Sequence, residues 1–304
     1  MHSSGDTIER LFHYHVFQNR VLESSGSAFQ TLFEQIMMRA YPTDFQPVRA
    51  YGNQGDWKCD GRKGGQYFQC YAPDNLKVTN FIAKIKTDLK GCLEKWGSAV
   101  KEWTLVHNAK VGLPAQVINY VDQLKKTYPE IHITFWDRQR LWQVVEALPL
   151  QKRNEILGPV PSRGEVQNVT FAELKVIVDY LSTVPPDATP VGTLVPPDKK
   201  IKYNRLGRHS ENLIRIGICE SYRVEDYINR HPNPAVGEVL RKRFVQEYLD
   251  LRDKHHDEPD LIFGKLLAFA SINSQDTRIQ GAGLAVLVYF FVTCDVFETS
   301  EGIT

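Results

Sequence analysis

The chain has 304 residues, 42% of them apolar and 24% charged, with a formal net charge of +1. This is ordinary globular composition, long enough for two domains of roughly 100–200 residues, and it lacks an overall basic field, so any nucleic-acid surface must be a local patch. The cysteines (Cys59, Cys70, Cys92, Cys219 and Cys294) are odd in number and form no CxxC pair, which argues against a disulfide framework or a zinc site and predicts a cytoplasmic chain with reduced thiols.

The opening MHSSGDTIERLFHYHVF has no basic region followed by an apolar run, so no signal peptide is expected. Residues 1–26 read as a helical extension. In SAFQTLFEQIMMRA (27–40), Phe29, Leu32, Phe33, Ile36 and Met37 recur at helical spacing. YPTDF ends that helix, because proline disfavours helix at the residue before it. Phe45 to Tyr51, Lys58 to Gly61 and Gln66 to Tyr71 are predicted strands, with a hairpin turn at Gly64-Gly65. A strongly amphipathic helix follows, with Val78, Phe81, Ile82, Ile85, Leu89, Leu93 and Trp96 on one face and lysines on the rest. Trp103 to His107 is a strand, and Pro114 opens a helix over 114–127. Ile131, Ile133 and Phe135 alternate as a strand, and Asp137 can cap a helix running to about Ala147.

Residues 27–150 therefore read as an α/β domain with a mixed sheet flanked by helices. Residues 151–205 are proline-rich and read as a linker with little packed helix beyond Thr170–Leu181. From Leu206 the patterns are helical, which predicts an α-helical assembly domain over 206–304. Asn233 can cap one helix at Pro234, and two more lie near 258–272 and 276–294. The longest apolar stretch, Ala282 to Val292, is short of the ~20 residues that span a bilayer, so no membrane segment is expected.

The stretch GDWKCDGRKGGQYFQCYAP (55–73) places an amide, Gln69, inside an apolar strand a few residues after two aspartates. Metal-dependent phosphodiester cleavage needs oxygen ligands that converge beside the scissile phosphate, and a hairpin supplies them compactly. Asp60 ends one strand, Gln69 projects from the next, and Tyr71 shares its face because strand side chains alternate with period two. Glu34, on the preceding helix, can approach the same metal. The plainer reading makes Asp56 and Asp60 turn formers and Gln69 a solvent-facing edge amide.

The pattern Gly55-Asp56-x-x-x-Asp60-Gly61, a hairpin, then Gln69-x-Tyr71 resembles the PD-(D/E)xK, or restriction-endonuclease-like, nuclease superfamily over about residues 27–147. The resemblance implies a Mg²⁺- (or Mn²⁺-) dependent DNA endonuclease. Asp60 and Gln69 would be ligands at the usual acidic positions and Glu34 the helix glutamate. Where the family has a lysine this chain has Tyr71, a phenol with pKa near 10 and a poor stand-in for an ammonium. Lys58 or a lysine of the 77–95 helix would have to replace it; otherwise the domain is a catalytically inactive one that binds nucleic acid or assembles. Lys77, Lys84, Lys86 and Lys90 can contact phosphates, against the alternative of a solvated helix face.

Over a longer span, YPTDFQPVRAYGNQGDWKCDG, YFQCYAP and, far downstream, AVLVYFFVTCDVFE resemble an effector of the ABC-three-component systems, the group that includes Lamassu-type bacterial defence. That resemblance implies an antiviral role with an SMC-like ABC ATPase and a small middle component as partners, and action as a homo-oligomer. Tyr289, Phe290, Phe291 and Phe297 are expected anchors of a subunit contact, unless they form the bundle's own core. His255-His256-Asp257 reads as a solvated helix end, since adjacent helix residues do not face each other.

Overall fold

Alternation along Gln66–Tyr71 puts Tyr67, Gln69 and Tyr71 on one side and Phe68 and Cys70 on the other, which suits a strand covered on both faces. A computed structural model describes residues 7–49, 57–109, 112–183, 197–293 and 296–298. The chain divides into two compact units, one formed by Arg20–Ile156 and the other by Met1–Asn19 together with Leu157–Thr304.

In the first unit a mixed sheet runs in the order β1 (Phe45–Pro47), β2 (Gly61–Lys63), β3 (Gln66–Tyr71), β4 (Glu102–His107), β5 (His132–Trp136). The first three strands pair antiparallel, while β3–β4 and β4–β5 are parallel. Parallel neighbours need crossovers, and these are α3 (Val78–Trp96) and α4 (Ala115–Thr127). Both cover the face that carries Tyr67, Trp103 and Leu105. The opposite face packs α2 (Gly26–Ala40) and α5 (Arg138–Glu146), with Phe33 against Phe68 and Phe68 against Trp136. Asp137 caps α5 as the sequence predicts, its Oδ1 accepting the Arg140 N–H at 2.8 Å. The short second strand begins at Gly61 rather than Lys58, because Trp57 and Lys58 take left-handed φ values of 52° and 57° that no strand accommodates. Ala50–Asp56, including Gly55 and Asp56 of the motif, lie outside the described residues.

In the second unit α1 (Ile8–Glu23) contributes Ile8, Leu11 and Phe12 to a core built otherwise from α7 (Arg163–Gln167), α8 (Phe171–Leu181), α9 (Pro197–Tyr203), α10 (Arg208–Asn229), α11 (Val236–His255), α12 (Pro259–Ala270) and α13 (Thr277–Thr293). α13 is apolar all round and forms the centre. Small residues let its neighbours approach. A Cβ at Gly217 of α10 would meet Val288 at 2.6 Å, and one at Gly283 of α13 would meet Ser271 Oγ at 2.2 Å. The buried Lys200 donates to the Phe291 carbonyl at 2.8 Å, satisfying one of the carbonyls a helix C-terminus leaves open.

Three expectations need correction. Residues 151–205 are not a linker throughout. α6 (Leu150–Leu157), α7 and α8 occupy much of it, Ser162 and Thr170 close capping boxes on Glu165 and Glu173, and Val160, Val166 and Val169 are buried. Prolines broke the pattern locally without preventing burial of the helices between them. The N-terminal residues are not an extension, since Leu11 and Phe12 belong to the second unit's core. Phe290, Phe291 and Phe297 are 2%, 0% and 1% exposed and sit inside that core, so they do not offer a subunit surface. Tyr289 is only partly buried against it. Among the described residues no helix is long and apolar enough to cross a membrane.

Candidate functional site

The β2–β3 ladder ends at Gly61 and Phe68, next to the expected ligand positions Asp60 and Gln69. Asp60 stands one residue before β2, and its backbone N–H still bonds the Phe68 carbonyl at 2.8 Å. The carboxylate is buried, and Oδ2 accepts both the Cys70 backbone N–H (2.6 Å) and Gln69 Nε2 (2.8 Å). Gln69 is therefore not an edge amide facing water. It is 4% exposed and spends its nitrogen on Asp60, while its Oε1 is buried with no hydrogen-bond partner. A buried carbonyl oxygen without a donor costs about 1–3 kcal/mol.

Glu34 reaches the same neighbourhood from α2. It is buried, accepts Gln30 Nε2 at 3.0 Å and pairs with Arg49. Burial raises its carboxyl above the ordinary value, more than Gln30 and Arg49 pull it down. The Cys70 thiol registers both acids. Its pKa is raised first by burial, then by the charges of Asp60 and Glu34, with Lys84 opposing. Cys70 thus lies within electrostatic reach of Asp60, Glu34 and Lys84, which come from three separate segments.

Lysines approach from the α3 side. Lys84 is half-buried and holds Asp88 Oδ2 at 2.6 Å, and Lys58 reaches Asp88 Oδ1 at 3.6 Å. Gly91 makes room for this. A Cβ there would fall 2.7 Å from Lys58 Cγ, so only glycine lets the Lys58 stem lie across the helix. The turn that carries Lys58 is clamped by Trp96, which donates its indole N–H to the Trp57 carbonyl at 3.3 Å and stacks edge-on with the Trp57 ring. Tyr71 is half-buried, with its ring edge-on to Phe81 at 5.2 Å. Lys77, Lys86 and Lys90 are exposed, and Lys90 pairs loosely with Glu94 at 3.6 Å. The structure thus joins Asp60 and Gln69 directly, brings Glu34 and Lys84 within electrostatic reach of the adjacent Cys70, and leaves Lys77, Lys86 and Lys90 on the helix surface.

Sequence reading missed Asp88 and Arg49. Asp88 is 0% exposed and falls on the apolar stripe of α3, between Ile85 and Cys92. A carboxylate at a core-facing position was the available signal. Arg49 fell inside the strand expected over Phe45 to Tyr51, but the observed strand ends at Pro47, and nothing in the pattern singled it out.

Hard divalent cations take oxygen donors. Two buried carboxylates and the orphaned amide oxygen fit such an ion in kind. The amide must turn so that Oε1 rather than Nε2 faces Asp60, a reorientation that exchanges nearly equivalent atoms. Among the described residues no three His, Cys, Asp or Glu side chains converge as a metal cluster, so an oxygen-ligated ion here would need the amide as a further donor. His255 to Asp257 form no such group either, and His256 pairs with Asp257 at 2.9 Å, both exposed.

Comparison with known proteins finds a likeness in the helical part. Residues 172–298 match the family described as C-terminal domain 10 of the ABC-three component (ABC-3C) systems. That segment runs from α8 to the end of the described chain and includes the buried helix α13. No curated protein and no solved structure matches the chain.

Proposed function

We propose that the chain is the cytoplasmic effector subunit of a bacterial anti-phage ABC-three-component system of Lamassu type, and that its α/β unit is a PD-(D/E)xK-like, Mg²⁺-dependent DNA endonuclease. The family match over 172–298 supports the system. The observation that carries the chemistry is the buried Gln69 Oε1 left without a donor beside the Asp60 carboxylate. Asp60, Gln69 and Glu34 would hold Mg²⁺ or Mn²⁺. The ion would neutralise a scissile phosphate and lower the pKa of an attacking water. Lys84 or Lys58 replaces the lysine that Tyr71 displaces, and each must first leave Asp88, so Asp88 acts as a store for that positive charge. Exposed Lys77, Lys86 and Lys90 supply phosphate contacts along α3.

The partners are an SMC-like ABC ATPase and a small middle component, with homo-oligomers as the active form. The exposed apolar side chains Val176, Tyr180, Ile218 and Tyr222 on α8 and α10 support an assembly surface there, in place of the buried aromatics of α13.

One observation favours a second reading. Lys58 and Lys84 are both closed on Asp88 and Tyr71 packs on Phe81, the state expected of a catalytically inactive nuclease-like subunit that binds nucleic acid or assembles. Incubation with supercoiled plasmid and Mg²⁺ or Mn²⁺, alone and with the other system components, separates the two. Cutting lost in Asp60→Asn supports the endonuclease. Salt-sensitive binding without cutting, in the complete assembly, supports the inactive subunit.

A further inference from the structure

In sheets with parallel strands, ligands settle in the crevice beyond the strands' carboxyl ends. In the α/β unit β3 and β4 run parallel, and their carboxyl ends open into a cavity of about 500 Å³. This lies within the range of small-molecule sites. Ser24 and Ser25 line one side, Asp74 and Asn75 another, and Asn108 and Leu113 a third. The walls are fixed by backbone: Gly26 N–H bonds the Ala72 carbonyl at 2.8 Å, and Asn108 Nδ2 donates to the Ser24 carbonyl at 3.0 Å.

Its chemistry selects among ligands. Among the described lining residues none is cationic while Glu23 and Asp74 are acidic, which disfavours a phosphate. The remaining polar groups are amides and hydroxyls, the set that pairs with the edges of uncharged heterocycles. Asn108 commits its nitrogen to Ser24 and presents its carbonyl oxygen as an acceptor. Leu22, Leu76, Leu113, Pro73 and Pro114 supply apolar lining.

Location adds a second argument. Gln69 lies two residues before the end of β3, so the orphaned amide oxygen and the cavity mouth are roughly 7 Å apart along the strand at ~3.3 Å per residue. That is about the spacing of one or two nucleotides. We infer that the cavity at the carboxyl ends of β3 and β4 is a nucleobase pocket, which takes an unstacked base of the bound strand while its phosphate stays outside, toward Asp60. Enzymes that extrude a base read it by hydrogen bonds to its edge inside such a pocket. The choice of strand as the source of the base rests on the endonuclease reading; the pocket's preference for an uncharged base does not.

Two probes test it on the full chain. Adenosine, guanosine, cytidine and thymidine are titrated by saturation-transfer NMR. A duplex carrying one 2-aminopurine is followed by its emission, which rises on unstacking, and by anisotropy, which reports binding. Asn75→Leu removes an exposed amide at nearly constant size and leaves the core untouched; Asn108→Leu removes the second. The expected result is nucleoside binding weakened about tenfold by Asn75→Leu, and a 2-aminopurine rise reduced in the same variant while anisotropy still reports a bound duplex. Bound duplex with flat 2-aminopurine emission and no nucleoside binding overturns the pocket and leaves the endonuclease reading standing. Nucleoside binding without duplex binding upholds the pocket as a site for free nucleosides and overturns the DNA reading. Binding of neither overturns both.

Discussion

Replacing Asp60 separates its structural load from its chemical one. Its Oδ2 serves two buried donors, the Cys70 N–H at 2.6 Å and the Gln69 amide at 2.8 Å. Asp60→Ala leaves both without an acceptor, and each such donor costs about 1–3 kcal/mol. The α/β unit should therefore lose about 2–6 kcal/mol, a large share of an ordinary domain's stability. Asp60→Asn behaves differently. Its carbonyl oxygen, in the place of Oδ2, can still accept from both the Cys70 N–H and Gln69 Nε2. Neither buried donor loses its acceptor as the charge is lost, so the cost should fall to about 1 kcal/mol. All five tryptophans (Trp57, Trp96, Trp103, Trp136 and Trp142) lie within Arg20–Ile156, so tryptophan fluorescence in urea reads this unit alone. Equal losses in the two variants, or a loss below about 0.5 kcal/mol for Asp60→Ala, would refute the assignment of these hydrogen bonds. The ranking also decides which variant is a fair control for cleavage: Asp60→Asn stays folded, and Asp60→Ala confounds activity with unfolding.

Other outcomes follow from the same contacts. Glu34 has a raised folded pKa, so it binds more protons folded than unfolded; its stabilisation is complete below about 4.3 and is lost as pH rises through the folded value. The stability of wild type relative to Glu34→Gln should therefore decline as pH rises above about 4.3, and a constant or rising difference in urea midpoints would contradict this. Replacing Lys77, Lys86 and Lys90 together by Ala should weaken duplex binding and lower the log–log salt slope by up to about three, and an unchanged slope would remove α3 from the DNA face. In the helical unit Gly283→Ala should destabilise more than Gly217→Ala, by roughly 1–3 kcal/mol, because its Cβ would meet the Ser271 backbone nitrogen at 2.8 Å whereas Gly217 faces the movable Val288 side chain. Helical circular dichroism on heating would rank them, and the reverse order would contradict the packing described.

How much of this was legible in sequence depends on whether a signal was local. β3 matched its predicted Gln66–Tyr71 span, and Asp137 capped α5, because alternation and capping chemistry act within a few residues. The Asp60–Gln69 pairing was legible for the same reason, since a tight hairpin fixes which residues face one another. The fate of the 289–297 aromatics was not. An apolar helix must be covered, but its sequence does not say whether its own domain or another subunit covers it. The proline-rich segment misled because proline reports the ends of helices and not their burial. Asp88 was readable as a misplaced charge on an apolar stripe, but its two lysine partners come one from a neighbouring turn of α3 and one from a distant strand entry, Lys58.

The division of the chain has a bearing on synthesis. Residues through Asn19 belong with Leu157–Thr304, so the α/β unit is an insertion within the helical one. His15 packs on Phe263, 248 residues later (263 − 15). At ~5–20 residues per second a ribosome takes roughly 12–50 s to cover that distance. The inserted unit leaves the exit tunnel whole while the first helix still waits for its core. During that interval Leu11, Phe12 and Ile8 are sticky and exposed, a target for chaperones. The part of the chain that matches the ABC-three-component family matures last, so a chain released early by a stalled ribosome would carry its α/β unit without a finished helical one.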